Sequence, residues 1–298
     1  MWHDDPVPTA AANGIELTYE TFGDPAAETV LLIMGLGAQL TGWDDGFCAL
    51  LVGRGYHVVR FDNRDIGKST WIDTPGMDVP TAVLAALGGD TSVAPYLLAD
   101  MAKDVVGLLD HLDVERAHIV GASMGGMIAQ TVAINHPTRV RSLTSIMSTT
   151  GEPTVGAASP DLLPQLIGER PEGRAEAIEF QLNTARVISC PDHFDEERAR
   201  ARAMVDFERG LNPLGVPHQL LAIFCSGSRA DDLSKLDLPA LVIHGRQDRL
   251  VDFSGGQRTA ELVAGADFLV IDDMAHDLPT VHWTRITDAI AALATRAA

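Results

Sequence analysis

The chain is predicted to adopt an α/β fold: a mostly parallel central sheet with helices on both faces, interrupted by one inserted helical segment. Three observations carry this. The apolar run at 29–34 reads as a strand covered on both faces, because a half-exposed strand would alternate with polar residues, and 117–122 and 239–245 read as further strands, the first of them buried. Stretches of helical period separate them; in 96–112 the residues Leu97, Met101, Val105, Leu108 and Leu109 form one apolar stripe. The alternation breaks at Ser148, where no clear strand follows until about Asp232, and then resumes. The predicted domains are therefore a core of 1–149 and 233–298 and a helical cap of 150–232.

The elements follow in order. Two short extended segments, 7–12 and 15–22, flank Asn13-Gly14, a strong hairpin signal. The strand 29–34 opens into Gly35-Leu36-Gly37, and apolar residues at helical spacing fill 43–54 up to Gly55. The strand 56–61 ends in the charged loop Asp62-Asn63-Arg64-Asp65-Ile66-Gly67-Lys68-Ser69. Residues 71–95, rich in Pro, Gly and Ala, read as loop with at most one short helix. After the helix 96–112 come the strand 117–122, a helix 124–135 stopped before Pro137, and the strand 140–147. Within the cap, 174–187 and 195–209 read as helices. The strand 239–245, a helix 254–263, the strand 267–271 and a helix 280–294 close the chain.

Composition bounds the function. A chain of 298 residues with 46% hydrophobic and 21% charged residues builds one large soluble core. Its formal charge of −19 argues against nucleic acid and anionic membranes as partners. Residues 1–6 lack a basic region followed by an apolar run, so no secretory leader is read, and no apolar run is long enough to span a bilayer. Cys48, Cys190 and Cys225 are odd in number and unpatterned, which favours buried thiols in a reducing, cytoplasmic setting.

The chemistry centres on Gly121-Ala122-Ser123-Met124-Gly125. This G-x-S-x-G run joins a strand to a helix, and a nucleophile at the apex of so tight a turn stands clear of the backbone. Gly121 and Gly125 flank it because a Cβ at either would collide with the neighbouring element. Free N–H groups at the helix start face any negative charge that develops there. A serine hydroxyl needs a base, and the base needs an acid to fix its tautomer. The chain order Ser…Asp…His suits this topology. Asp248, in the loop after strand 239–245, is the candidate acid, with Asp252 the near competitor and Glu152 a remoter one. His276, in the loop after strand 267–271, is the candidate base. His244 reads as structural, His282 as packing, and Asp272 and Asp273 as turn caps. The oxyanion donors are expected to be the backbone N–H groups of Leu36 and Met124.

These motifs, in this order and over nearly the whole chain, resemble the α/β-hydrolase superfamily. Members commonly carry His-Gly where this chain has Met34-Gly35, a change that leaves the Leu36 backbone donor in place. They also commonly carry Asp-x-Arg-Gly-x-Gly-x-Ser; here Asp65 stands at the glycine position, in a loop expected to brace the site from behind. This variant loop, with Met34-Gly35 and Trp43, is similar to the aclacinomycin-type methyl esterases and actinobacterial carboxylesterases. The resemblance implies hydrolysis of a small-molecule ester, methyl ester or lactone through an acyl-enzyme, with neither metal nor organic cofactor. Carbon–carbon bond hydrolysis, thioester hydrolysis or cofactor-free perhydrolysis on the same triad are the alternatives, and a non-catalytic ligand receptor is a third. A carboxylate-nucleophile mechanism is disfavoured by Ser123. The oligomeric state is not legible.

Overall fold

The computed structural model describes residues 7–162 and 170–297. Residues 1–6, read above for a leader, and 163–169 of the expected cap lie outside the described residues. Eight strands, β1 (Thr9–Ala12), β2 (Ile15–Phe22), β3 (Thr29–Ile33), β4 (His57–Phe61), β5 (Ala117–Ala122), β6 (Val140–Ile146), β7 (Ala240–Gly245) and β8 (Asp267–Ile271), form one sheet in the order β1-β2-β4-β3-β5-β6-β7-β8. The β1–β2 and β2–β4 pairs are antiparallel and all later neighbours are parallel. Asn13 (φ 48°) and Gly14 (φ 80°) both take positive φ, as the tight hairpin turn between β1 and β2 requires.

The described helices are α1 (Asp45–Val52), α2 (Val79–Leu87), α3 (Leu98–His111), α4 (Met124–Asn135), α5 (Arg174–Ile188), α6 (Glu196–Arg209), α7 (Gly215–Ser226), α8 (Ala230–Leu233), α9 (Phe253–Leu262) and α10 (Trp283–Arg296). They cover both faces of the sheet. Leu31 and Ile33 of β3 join a core with Met101, Val105 and Leu108 of α3 and Ile128 and Val132 of α4. Val30 and Leu32 point the other way, into a core with Phe47 and Leu51 of α1 and Ile286, Ile290 and Leu293 of α10. This is why the sequence of β3 does not alternate: both of its faces are dry.

Strand order locates the site. From β3 the chain steps one way to β4 and then back across to β5, so β3 lies between two parallel partners. The loops leaving β3 and β5 diverge at this switch point, and open α/β sheets bind ligands there. Between β6 and β7 the described residues carry helices α5 to α8 and no strand. Helix α7 was not anticipated. It begins Gly215-Val216-Pro217 after Asn212-Pro213, breakers that read as loop, yet tertiary burial of Val216, His218, Gln219, Leu220 and Leu221 overrides them. Among the described residues no helix is long and apolar enough to cross a membrane. All three cysteines are buried and unpaired.

Candidate active site

Ser123 sits between β5 and α4 at φ 58° and ψ −123°, a backbone region that L-residues rarely adopt. Its N–H donates to the Ile146 carbonyl at 2.9 Å, and its own carbonyl accepts from Gly126 N at 2.9 Å and Met127 N at 3.2 Å. The turn is thus held by β6 on one side and α4 on the other. A Cβ on Gly121 would run into the Gly125 carbonyl, and one on Gly125 would meet the Ile33 carbonyl and lie 2.8 Å from that of Met34. Backbone cannot yield as a flexible side chain would. Gly125→Ala is therefore expected to destabilise the fold by about 3 kcal/mol, the upper range for overpacking, seen as a lower urea midpoint at unchanged m-value.

Three distant side chains meet at this apex. His276 Nε2 lies 2.9 Å from Ser123 Oγ, and His276 Nδ1 lies 2.8 Å from Asp248 Oδ2. Asp248 is 5% exposed and His276 7%, so both contacts are shielded from water. The second carboxylate oxygen, Asp248 Oδ1, accepts from Leu250 N and Val251 N, each at 2.9 Å. Burial alone would raise the Asp248 pKa. The imidazole of His276 and the hydrogen-bonded His244 oppose it and hold the carboxyl well below its usual range. The histidine loop is itself tied down: Gln247 N donates to Met274 O at 3.0 Å and His276 N to Ile188 O at 2.9 Å. Asp277 accepts from Ala275 N at 3.2 Å and Cys190 N at 3.3 Å.

The loop after β3 lies directly against the serine. A Cβ on Gly35 would sit 2.9 Å from Ser123 Cβ, so only glycine allows this approach. Gly37 takes φ +70°, and its N–H donates to Gln219 Oε1 at 2.9 Å. Among the described residues neither Leu36 N nor Met124 N has an internal acceptor. Met124 is the first residue of α4, where the helix leaves N–H groups free.

The charged loop after β4 forms the brace that was expected. Asn63 Nδ2 donates to the Met34 carbonyl at 2.8 Å, and Asp62 Oδ1 accepts from Leu40 N at 2.7 Å. Arg64 pairs with buried Asp104 at 2.6 Å. Asp65, at the position where glycine is usual, takes φ 70°. A short acidic side chain tolerates that conformation, and here it also accepts from Ile72 N at 2.6 Å and contacts buried His218 Nδ1 at 2.9 Å.

The competing acids lie elsewhere. Asp252 caps α9 through Ser254 N at 3.0 Å, Glu152 pairs with Arg258 at 3.0 Å, and Asp272 pairs with Arg246 at 3.1 Å. Two supports escaped sequence reasoning. Gln219 lies in the unanticipated α7. His244 was read as structural, and its full burial fits that. Yet its Nε2 lies 3.3 Å from Asp248 Oδ2 as well as 2.9 Å from Val251 O. Its Nδ1 is buried without a hydrogen-bond partner. The signal was present in the spacing: His244 and Asp248 are four residues apart across a tight turn. His244→Leu is expected to lower kcat about tenfold with little change in KM, the scale for a group that orients another, checked by steady-state kinetics. A cleft of about 650 Å³ is walled in part by Ile188, Arg246, Asp248, Arg249 and Ala275; Ser123 is not among its walls.

Residues 28–282 match the family model for the alpha/beta hydrolase fold, and the chain belongs to that family. Among curated relatives, rhodomycin D methylesterase DnrP of Streptomyces peucetius is 30% identical, covering 96% of this chain and 98% of its own. A 2-hydroxy-6-oxononadienedioate/2-hydroxy-6-oxononatrienedioate hydrolase of Paraburkholderia phymatum is 29% identical over 84% of this chain and 81% of its own. Among solved structures, the enol-lactonase of Burkholderia xenovorans superposes with a TM-score of 0.77 at 24% identity, covering 97% of this chain and 100% of that one.

Proposed function

We propose that the chain is a serine hydrolase of carboxylic esters. The observation that carries the reading is the imidazole of His276, within hydrogen-bond reach of Ser123 Oγ on one side and Asp248 on the other. In this reading His276 Nε2 takes the Ser123 proton as Oγ attacks the ester carbonyl. Asp248 keeps the Nδ1–H tautomer and steadies the imidazolium. The Leu36 and Met124 amides receive the oxyanion. The tetrahedral adduct collapses, His276 gives its proton to the departing alcohol, and a water activated by His276 releases the acid from the acyl-serine. Every proton in this cycle is carried by these residues, so the reaction calls for no metal or organic cofactor.

Residues 150–232 are proposed as a cap over the serine. Supporting this, Gln39 Nε2 donates to Asp206 O at 2.8 Å and to Gly210 O at 2.9 Å, joining α6 and its C-terminal end to the loop beyond β3. The substrate range we propose is a small to medium hydrophobic ester, methyl ester or lactone, and the methylesterase relative supports the methyl ester within that range. The free, buried cysteines support a reducing, cytoplasmic setting.

A second reading keeps the same three residues and changes the bond cut. It is favoured by the dienedioate hydrolase relative, whose named substrate carries no ester. A panel of methyl and p-nitrophenyl esters, acyl-CoA thioesters and vinylogous diketones separates the two. Ester turnover exceeding diketone turnover by at least about 10²-fold in kcat/KM, near 3 kcal/mol of transition-state discrimination, supports the first reading; the reverse order replaces it.

A further inference from the structure

We infer that His193, Asp273 and His282 form a binding site for a divalent transition-metal ion of the zinc class, joining the cap segment to the loop that carries His276. Among the described residues this is the only group of three or more His, Cys, Asp or Glu side chains whose donor atoms all lie within 4.8 Å of one another. Three separate pieces of chain supply it. His193 ends the short turn Pro191–His193 between α5 and α6, Asp273 follows β8, and His282 ends the turn Thr280–His282 before α10. Asp273 turns one oxygen to each imidazole, Oδ2 to His193 Nε2 at 2.7 Å and Oδ1 to His282 Nε2 at 3.1 Å.

A carboxylate shared by two histidines also describes a plain hydrogen-bonded trio, and two facts favour the metal. First, His282 is 8% exposed, and its Nε2 is buried with no hydrogen-bond partner despite its closeness to Asp273. The contact lacks the direction a donated proton needs, whereas a metal between the three atoms accepts the nitrogen lone pair. Second, one donor atom from each of the three residues lies within 4.8 Å of the other two, and the imidazole rings, at 89° with centroids 5.4 Å apart, do not stack. Zinc bonds of about 2.0–2.2 Å in tetrahedral geometry separate donors by roughly 3.4 Å. The donor atoms, one from each residue and all within 4.8 Å of one another, close to that spacing by side-chain rotation.

The donor set selects the ion. Two imidazoles with one carboxylate suit zinc, cobalt, nickel or copper, while calcium and magnesium prefer oxygen. The Asp273 side chain is 49% exposed, which leaves a face of the site open to a water as fourth ligand. The site lies beyond the hydrolytic triad and stands independently of the proposed reaction. It bears on the same loop, however: Ile188 O and Cys190 N already hold His276 N and Asp277. A metal on His193 completes a clamp of 188–193 onto 273–282.

The test is isothermal titration of untagged, chelator-treated full-length protein with Zn²⁺ in the presence of excess Mg²⁺. One equivalent is expected to bind. Asp273→Asn and, separately, His193→Gln should weaken it by about 100-fold or more, the upper scale for disturbing a metal site. Zn²⁺ should raise the melting temperature of the wild type and not of the variants. Co²⁺ should give ligand-field absorption bands in the wild type that both variants lose. His193 is partly exposed, so its variant should melt as the metal-free wild type does, separating loss of ligand from loss of fold. Absence of one-equivalent binding, competition by Mg²⁺, or binding unchanged in both variants overturns the inference.

Discussion

Ser123→Ala is expected to lower kcat by about a millionfold, the scale on which a triad nucleophile is lost, with the fold intact. Only the hydroxyl is removed, and among the described residues its side-chain hydrogen-bond partner is His276 Nε2 at 2.9 Å. The backbone bonds that hold the turn, from Ser123 N to Ile146 O and from Gly126 N to Ser123 O, do not involve it. Alanine keeps its Cβ at φ 58°, so the turn's strain remains. Ser123→Gly should be equally inactive but more stable than Ser123→Ala by about 1 kcal/mol, because a non-glycine residue held in this region costs about 1–3 kcal/mol and glycine loses part of that gain to chain entropy. Urea denaturation of the two variants measures the strain, and ester kinetics with fluorophosphonate labelling measure the chemistry. Ester turnover by Ser123→Ala within tenfold of wild type would remove the nucleophile from the proposal.

The same contrast explains what the sequence reveals. Strands β3 and β5 are legible because burial on both faces erases alternation, and the elbow is legible because its glycines answer to steric demands only a few residues away. Asp248 and His276 are legible by topology: each follows a strand of the parallel run, at the end where loops converge. Contacts that depend on long-range docking leave no such local mark. Gln219 reaches Gly37 across 182 residues and His218 reaches Asp65 across 153, both from a helix whose opening proline and glycine read as loop. His193 meets Asp273 only because the segment before α6 lies down on the histidine loop. Asp65 is intermediate. Its departure from glycine is visible in the sequence, but the positive φ that makes aspartate tolerable there is visible only in the fold.

Asp248→Asn is expected to lower kcat by about 10⁴-fold while changing substrate binding little, the scale for a wrongly held imidazole tautomer. The neighbours of Asp248 decide which way an asparagine amide points. Leu250 N and Val251 N both donate to Oδ1 at 2.9 Å, so the amide oxygen must take that position and the NH₂ must take that of Oδ2. There it faces His276 Nδ1 at 2.8 Å and His244 Nε2 at 3.3 Å. An NH₂ donates to Nδ1 and drives the His276 proton onto Nε2, where the ring can no longer accept from Ser123. Geometry is kept and function is lost. The stability effect has a definite sign in pH. The Asp248 pKa is lowered in the folded state, since the two imidazoles overcome burial. Its contribution is therefore present above the unfolded carboxyl value of about 3.9 and disappears as pH falls through the lower folded value. The asparagine variant has no proton to gain, so the gap in unfolding free energy between it and the wild type should narrow as pH falls below about 4. Urea midpoints of the two proteins across that range, beside kcat at neutral pH, test both halves. A variant with wild-type kcat, or a stability gap that widens in acid, would show that Asp248 does not act as the buried anion behind His276.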